Sequence, residues 1–249
     1  MEILGVIPAR YASTRFPAKL LKTINGKSIL QMVYEQCEKT NSLSKIVVAT
    51  DSEIIFEHVE GFHGEVVMTS HKHESGTDRC AEALKICGGN SSFDYVVNIQ
   101  GDEPLIDPDT IDALCSVLDD KIEIVSACFP IAKMEDLLSP NVVKVVKGEK
   151  NQALYFSRSP IPHIREEKID RWLEHNTFFK HLGIYAFRVD VLEKLVKFPL
   201  AKLESQEKLE QLRWLSNGFK ISMVEATSEG FGIDTEQDFE RLKQFLDEK

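Results

Sequence analysis

Residues 2–19 read Glu2-Ile3-Leu4-Gly5-Val6-Ile7-Pro8-Ala9-Arg10-Tyr11-Ala12-Ser13-Thr14-Arg15-Phe16-Pro17-Ala18-Lys19, a short apolar run followed by a loop with three cations. The apolar run predicts a buried strand that Pro8 ends. The loop leaves the carboxyl end of this strand, which is the edge where open α/β sheets bind ligands. We expect Arg10, Arg15 and Lys19 to bind a triphosphate there, because all three stay charged at pH 7 and arginine donates paired hydrogen bonds to phosphate. A solvated basic loop is the alternative interpretation.

The composition indicates a globular protein that binds neither nucleic acid nor a membrane surface. The chain has 249 residues, 43% of them hydrophobic and 28% charged, which is enough for a large core. Its formal net charge is -10, whereas proteins that bind nucleic acid or membrane surfaces need a broad positive field. The five cysteines have no CxxC or zinc-ligand spacing, and neither a signal peptide nor a membrane-length apolar run is recognised. We expect one cytoplasmic domain over residues 1–249.

Short Val/Ile-rich runs alternate with amphipathic stretches along the chain. The predicted strands after the first are 45–50, 65–68, 93–99, 123–129, 142–146 and 221–224, and the predicted helices include 28–39, 76–87, 109–118 and 204–216. This alternation predicts an α/β fold, with a mostly parallel mixed sheet and helices on both faces. Residues of about 148–188 break the rhythm with prolines and charges before a strand candidate at 178–187. We interpret them as an insertion that covers a site or reaches a partner subunit.

Two aspartates follow predicted strands and precede helices. Asp102 lies in Asn98-Ile99-Gln100-Gly101-Asp102-Glu103-Pro104, and Asp234 lies in Gly230-Phe231-Gly232-Ile233-Asp234-Thr235. Carboxylates at this edge of a sheet are suited to Mg²⁺, which takes one or two carboxylates plus phosphate oxygens. We expect the two aspartates to share a magnesium ion. The alternatives are a turn aspartate bonded to its own backbone and an acid that only favours a helix N-terminus.

Small polar residues precede a predicted helix in His73-Glu74-Ser75-Gly76-Thr77-Asp78-Arg79. Their backbone and hydroxyl donors suit the edge of a nucleotide base, although Ser75 is also a common helix N-cap. No GxGxxG follows the first strand and no GxxxxGK[ST] occurs, which disfavours a dehydrogenase-type dinucleotide fold and a P-loop. A triphosphate must then be held in another way.

These and further motifs together resemble the 3-deoxy-manno-octulosonate cytidylyltransferases, or CMP-Kdo synthetases. The resemblance covers essentially the whole chain. The further motifs are Val48-Ala49-Thr50-Asp51, Pro140-Asn141-Val142-Val143-Lys144-Val145-Val146, Ala153-Leu154-Tyr155-Phe156-Ser157-Arg158, His181-Leu182-Gly183-Ile184-Tyr185 and Leu209-Glu210-Gln211-Leu212-Arg213. The first loop and the Gln-Gly-Asp motif also suit other sugar-acid CMP transferases, whereas the last two motifs favour the Kdo branch.

The resemblance implies a Rossmann-like nucleotidyltransferase fold, CTP and Kdo as substrates, Mg²⁺ as cofactor and a homodimer. It implies direct transfer of CMP with Lys19, Arg15, Asp102 and Asp234 as catalytic residues. The metal ligands would be Asp102 and Asp234. The implied CTP residues are Ala9, Arg10, Arg15, Lys19, Ser75, Gly76 and Gln100. The implied Kdo residues are Gln100, Arg158, Arg165, His181, Tyr185 and Glu210, with the insertion lining the sugar site and the dimer interface.

Three questions stay open on the sequence alone. The sugar acid could be Kdo, an amino-substituted Kdo or a sialic-acid-like nonulosonate. A catalytically silent nucleotide-sugar sensor is a further alternative, although a second metal-binding acid is not needed for binding alone. The chain also has Ala18-Lys19-Leu20 where the family commonly has Gly-Lys-Pro, and alanine disfavours positive φ, so displacement of Lys19 is a possible consequence.

Overall fold

The computed structural model describes residues 1–12 and 16–248. Its strands are β1 Ile3–Ala9, β2 Thr23–Ile24, β3 Lys27–Ser28, β4 Lys45–Thr50, β5 Val66–Met68, β6 Tyr95–Asn98, β7 Ile124–Pro130, β8 Lys144–Lys147, β9 Ala153–Ser157, β10 Phe179–Arg188 and β11 Ile221–Glu225. Its α-helices are α1 Ile29–Cys37, α2 Glu53–Gly61, α3 Gly76–Ile86, α4 Pro108–Ser116, α5 Met134–Leu138, α6 Trp172–His175, α7 Val189–Leu195, α8 Lys202–Glu207, α9 Gln211–Ser216 and α10 Glu236–Asp247. Among these helices, none combines the length and the apolarity that a membrane crossing requires.

The chain divides into two compact units, and the expectation of one domain stays a prediction. The first unit comprises Met1–Asp112 and Gly230–Lys249, and the second comprises Ala113–Glu229. In the first unit, β1 pairs in parallel with both β4 and β6, and β4 pairs in parallel with β5. The side chains of Ile3, Leu4, Val6 and Ile7 in β1 are all buried, as expected for a strand covered on both faces.

The parallel register of the first unit brings its loops to one edge. Val6 of β1 lies opposite Val47 of β4 and Asn98 of β6, so the segments after Ala9 and after Asn98 leave the strands side by side. Parallel strands present their carboxyl ends at the same edge. The start of the first cationic loop, at Arg10, and the Gln-Gly-Asp motif are therefore neighbours.

The second unit has a mixed strand arrangement. β7 pairs in parallel with β11 and antiparallel with β10, and β8 pairs antiparallel with both β10 and β9. Buried aromatic side chains pack here: Trp214 contacts Tyr185 and Phe187 edge to face, with ring centroids 5.0 and 5.1 Å apart. Trp172 stacks on Phe178 with centroids 5.8 Å apart. Such pairs stabilise a core beyond the area that they bury.

Most predicted elements are found, and the α/β class is confirmed. The strand predicted at 45–50 matches β4, and the strand candidate at 178–187 becomes β10. The continuous helix predicted at 204–216 is wrong, because Lys208 adopts a left-handed conformation with φ 55° and ends α8. The segment 148–188 contains β9 and α6, which the sequence reasoning left unassigned.

Ala18 adopts the backbone conformation that the sequence analysis considered unfavourable. Its φ is 52° and its ψ 29°, in the left-handed region, immediately before the short 3₁₀ turn Lys19–Leu21. This region costs a non-glycine residue roughly 1–2 kcal/mol. The chain tolerates this cost at the residue that precedes Lys19.

We therefore expect Ala18→Gly to stabilise the protein. Glycine removes the steric cost but adds chain entropy to the unfolded state, so the net gain should be about 0.5–1 kcal/mol. The measurement is the urea midpoint at unchanged m-value. Ala81→Gly is the matched control, because Ala81 lies within α3 and glycine there should lower the midpoint. An unchanged or lower midpoint for Ala18→Gly would contradict the strain argument.

Candidate active site

Lys19 lies between two aspartates in the first unit. Its Nζ donates to Asp102 Oδ2 at 2.6 Å, to Asp234 Oδ1 at 3.2 Å and to the Ile233 carbonyl oxygen at 2.8 Å. The Lys19 side chain is 14% exposed, and those of Asp102 and Asp234 are 29% and 52% exposed. An ammonium has three donors, so each of them has an acceptor. Asp102 and Asp234, 132 residues apart in the chain, thus meet around one cation, and Lys19 is not displaced from them.

Backbone contacts hold the two acidic segments together. The Ile233 amide donates to the Asp102 carbonyl oxygen at 2.8 Å. At Gly101, a Cβ would lie 3.0 Å from the Pro8 carbonyl oxygen, so a side chain there would press on the end of β1. The glycine of the Gln-Gly-Asp motif therefore lets the Asp102 segment approach β1 closely.

An open cavity of about 350 Å³ lies at this cluster. Its lining contains the cations Arg10 and Lys19 and the anions Asp102 and Asp234, so these formal charges cancel. The described lining residues are Pro8, Arg10, Ala12, Lys19, Leu20, Gly76, Gln100, Gly101, Asp102 and Asp234.

Helix α3 begins at the same cavity. Ser75 is its N-cap: the Ser75 hydroxyl accepts from the Asp78 amide at 3.1 Å, and the Asp78 carboxylate accepts from the Ser75 amide at 3.3 Å. The N-cap interpretation of Ser75 is therefore confirmed. Gly76, the first helical residue, lines the cavity, and a helix N-terminus carries partial positive charge. Recognition of a base edge at this end of α3 stays a prediction.

The loop before α3 fixes the direction of Arg10. The Arg10 guanidinium donates to the His73 carbonyl oxygen, and the His73 imidazole pairs with the Glu82 carboxylate. Glu82 also accepts from the Ser70 amide at 2.7 Å. Burial raises the pKa of the Glu82 carboxyl group, whereas the hydrogen bonds from Ser70 and His73 lower it. The net result is a lowered pKa. Arg10 is thus held by the loop that contains His73, and Glu82 of α3 holds that loop in place.

Arg79 joins α3 to the ends of β4 and β5. It is fully buried, its Nη1 donates to Thr69 Oγ1 at 2.6 Å, and its Nη2 lies 3.4 Å from Asp51 Oδ2. Burial lowers the pKa of the guanidinium, and the Asp51 carboxylate opposes that shift. Its role is structural support for the segment that carries Ser75 and Gly76.

Two of the predicted sugar-site residues are neighbours in the second unit. The rings of His181 and Tyr185 lie 5.3 Å apart, and Phe156 packs edge to face on His181 at 4.9 Å. Burial lowers the pKa of His181 to about 3, so the imidazole is neutral at pH 7. Burial, and then the Glu210 carboxylate, raise the pKa of Tyr185 well above its ordinary value. The pair therefore offers uncharged hydrogen-bonding groups, which suit hydroxyls.

The two predicted sugar-site arginines have different surroundings. Arg158 donates from Nε to the Glu207 carbonyl oxygen at 2.7 Å and from Nη1 to the Pro140 carbonyl oxygen at 2.8 Å. The Arg165 side chain is 91% exposed, with Glu166 3.8 Å away. Within the described residues, neither arginine hydrogen-bonds to His181 or Tyr185. Arg158 holds backbone segments together here, and binding of a carboxylate by either arginine stays a prediction.

Lys144 is a buried cation that the sequence reasoning missed. Its Nζ donates to the carbonyl oxygens of Ser139, Val142 and Arg158 at 2.8, 2.6 and 2.5 Å. Burial, with Arg158 nearby, lowers the pKa of its ammonium group. It therefore links the Ser139 and Val142 backbone to the Arg158 backbone.

The structure thus brings together part of the predicted set. Arg10, Lys19, Gly76, Gln100, Asp102 and Asp234 share one cavity, and Ala9 is buried at the end of β1. Arg15 lies outside the described residues. Glu82 and Ser126 also escaped the sequence reasoning; a lone serine within the apolar run Ile124-Val125-Ser126-Ala127 was the available signal for the second.

The chain is similar over its whole length to known cytidylyltransferases. The Cytidylyltransferase family profile matches residues 4–221. The 3-deoxy-manno-octulosonate cytidylyltransferase of Parabacteroides distasonis is 47% identical over 251 residues, covering 99% of this chain and 98% of the relative. That of Bacteroides thetaiotaomicron is 47% identical over 253 residues, again with 99% and 98% coverage.

Solved structures agree with this similarity. The structure of CMP:2-keto-3-deoxy-manno-octonic acid synthetase complexed with CTP matches with a TM-score of 0.91 and 36% identity, covering 100% of this chain and 99% of that chain. A 4-diphosphocytidyl-2C-methyl-D-erythritol synthase from Anaerococcus prevotii, 15% identical with a TM-score of 0.61, shares the fold. The chain therefore belongs to the cytidylyltransferase family, among the 3-deoxy-manno-octulosonate cytidylyltransferases.

Proposed function

We propose that this protein transfers CMP from CTP to 3-deoxy-D-manno-octulosonate (Kdo), releasing pyrophosphate and activating Kdo for lipopolysaccharide synthesis. The observation that carries the proposal is the Lys19 ammonium held between Asp102 and Asp234 at an open cavity, in a chain of this family. In the reaction, the anomeric hydroxyl of Kdo loses its proton to solvent as its oxygen bonds to the α-phosphorus of CTP. The bond from that phosphorus to the bridging oxygen breaks, and pyrophosphate leaves with that oxygen. No protein nucleophile is required.

Charge is the main obstacle to this reaction. An anionic sugar acid must approach a strongly anionic triphosphate, and pyrophosphate must leave with additional charge. The described cations and anions of the cavity, Arg10 and Lys19 against Asp102 and Asp234, cancel. Because preorganised charge is a large contribution to catalysis, binding of CTP here calls for a further cation besides these side chains.

The two aspartates fit Mg²⁺ as that cation. Their carboxylates already converge on one positive group, the Lys19 ammonium, and a protein supplies Mg²⁺ with one or two carboxylates plus substrate phosphates. Asp102 and Asp234 would hold the ion. When bound, the ion would neutralise part of the negative charge on the phosphates.

Lys19 and Arg10 act on the nucleotide itself. Each donor of Lys19 has an acceptor in the protein, so a phosphate oxygen gains Lys19 only by replacing one of those acceptors. Arg10 is directed by the His73 carbonyl. We infer that Lys19 neutralises the leaving pyrophosphate, whereas Arg10, Ser75 and Gly76 position the cytidine side.

The sugar side of the proposal rests on the second unit. His181 and Tyr185 are neutral at pH 7 and supply hydrogen bonds to hydroxyl groups. Arg158, Arg165 and Glu210 are proposed for the carboxylate and the remaining hydroxyls, as the family resemblance implies.

We further propose a cytoplasmic homodimer. The free cysteines Cys37, Cys80, Cys115 and Cys128 are buried, which fits a reducing compartment, where thiols persist. In the segment 148–188, the side chains of Leu154 and Ile169 are 63% and 43% exposed. We propose that these exposed apolar side chains belong to the part of the insertion that meets the partner subunit, as the family resemblance implies.

The function is tested by measuring pyrophosphate release with CTP, UTP or ATP crossed against Kdo, 8-amino-Kdo and sialic acid. We expect turnover with CTP and Kdo to exceed every other combination. Faster turnover with 8-amino-Kdo or sialic acid would replace the sugar assignment. Binding of CTP without pyrophosphate release for any acid would identify a sensor instead of an enzyme.

Asp102→Asn and Asp234→Asn should each lower kcat at least about 100-fold, because a charged ligand at the phosphates is lost. Both variants should also bind Mn²⁺ more weakly in a titration without substrates. The matched control is Asp94→Asn at the other end of β6, where Asp94 accepts from the Glu2 amide; it should keep full activity. Wild-type kcat and Mn²⁺ binding in either site variant would remove that aspartate from the metal site.

Leu154→Lys should convert the dimer to a monomer in size-exclusion chromatography with light scattering. The wild type should have twice the chain mass of 28.3 kDa. Leu200→Lys is the control, since Leu200 is similarly exposed but lies outside the segment, and it should remain dimeric. A wild type of 28.3 kDa would contradict the homodimer, and a dimeric Leu154→Lys would move the interface elsewhere.

A further inference from the structure

Ser126 carries a buried hydroxyl in β7 that faces strand β10. It is fully buried, and its Oγ lies 2.9 Å from the Ile184 carbonyl oxygen and 2.9 Å from Nε2 of His181. The Leu182 carbonyl oxygen is farther away, at 3.4 Å. The serine thus has three polar neighbours on the facing strand β10.

The direction of these hydrogen bonds follows from counting protons. A hydroxyl has one proton, and a carbonyl oxygen can only accept. The close contact with Ile184 is therefore a hydrogen bond only when Ser126 donates to it. The Ser126 oxygen is then an acceptor toward His181, so Nε2 carries the imidazole proton.

The opposite nitrogen of His181 must then be an acceptor. A neutral imidazole has one N–H and one bare nitrogen, and burial keeps this ring neutral by lowering its pKa to about 3. Nδ1 is the bare nitrogen. Within the described residues, no hydrogen bond to Nδ1 is found, whereas Nε2 is engaged by Ser126.

Neighbouring rings prevent His181 from turning over to exchange its two nitrogens. Phe156 packs on it at 77° with centroids 4.9 Å apart, and Tyr185 lies 5.3 Å away at 46°. Tyr185 is in turn held edge to face by Trp214 at 5.0 Å. The ring is thus fixed by packing on its faces and by one hydrogen bond at its edge.

We propose that Ser126 is a positioning residue: its hydroxyl holds His181 as the Nε2–H tautomer, so that Nδ1 accepts a hydrogen bond from a hydroxyl of the sugar-acid substrate. Ser126 itself touches no substrate. This inference rests on the proposed function for the identity of the sugar, whereas the tautomer itself is a property of the free protein.

The first test observes the tautomer without any reaction. In protein with ¹⁵N-labelled histidine, the imidazole nitrogens of wild type at pH 7 should show a protonated Nε2 and a bare Nδ1 for His181. The chain has seven histidines, and the spectrum of His181→Gln assigns the signals by their loss. In Ser126→Ala the two nitrogens should shift toward values averaged between the tautomers. A wild-type proton on Nδ1, a protonated imidazolium, or a spectrum unchanged in Ser126→Ala would overturn the proposal.

The second test separates the sugar from the nucleotide. Ser126→Ala should raise the KM for Kdo about tenfold, roughly the loss of one hydrogen bond, with the KM for CTP unchanged. His181→Gln, whose amide keeps a donor toward Ser126 but lacks the Nδ1 acceptor, should raise the KM for Kdo at least as much. Ser222→Ala in the neighbouring β11 is the control and should match wild type.

The outcomes distinguish this inference from the proposed function. A Ser126→Ala protein with wild-type KM for Kdo would overturn the positioning role. A rise in both KM values together with a lower melting temperature would show a structural role only, which also overturns it. If wild type turns over no Kdo but shows the expected tautomer, the proposed substrate fails while the Ser126–His181 geometry stands.

Discussion

The Lys19 ammonium between Asp102 and Asp234 is the interaction on which the candidate active site depends. Two carboxylates facing one cavity repel each other unless a cation lies between them. The chain meets this constraint with distant segments: Lys19 follows the left-handed Ala18, Asp102 follows β6, and Asp234 precedes α10. The Ile233 amide donates to the Asp102 carbonyl oxygen and so joins the segment before α10 to the segment after β6. The cluster therefore constrains the backbone through contacts between protein groups.

In the second unit, two cations donate to backbone carbonyl oxygens. Lys144 donates only to backbone carbonyl oxygens. The Arg158 guanidinium donates to the carbonyl oxygens of Glu207 and Pro140. Burying such cations costs free energy unless they are hydrogen-bonded. These contacts order the loops around Arg158, and the hydrogen bonds to the carbonyl oxygens offset the cost of burying the cations. A positively charged side chain of different length at position 144 would leave carbonyl oxygens that Lys144 now pairs without a donor.

The sequence predicted the features that depend on neighbouring residues in the chain, such as buried strands. β1 and β4 were predictable because a parallel strand buried on both faces is almost wholly apolar. That Asp102 and Asp234 lie close together was expected because each lies between a predicted strand and a predicted helix. Other features depend on distant contacts. The helix break at Lys208 involves a left-handed residue that is not glycine, and the carbonyl partners of Arg158 come from segments 18 and 49 residues away. Neither leaves a periodic signal in the sequence.

The His-Leu-Gly-Ile-Tyr motif shows how an irregular strand supplies what a regular one cannot. In a regular strand, His181 and Tyr185 would be about 13 Å apart. The β10–β7 register shifts between Leu182 and Tyr185, so His181 lies opposite Cys128 and Tyr185 opposite Ser126, a separation of about 7 Å along β7. The bulge therefore brings the two rings into contact on one face and places the Ile184 carbonyl within reach of Ser126. A regular strand over these residues would separate the two rings and move the Ile184 carbonyl away from Ser126, so the irregular backbone of this motif sets the geometry of the His181–Tyr185 pair.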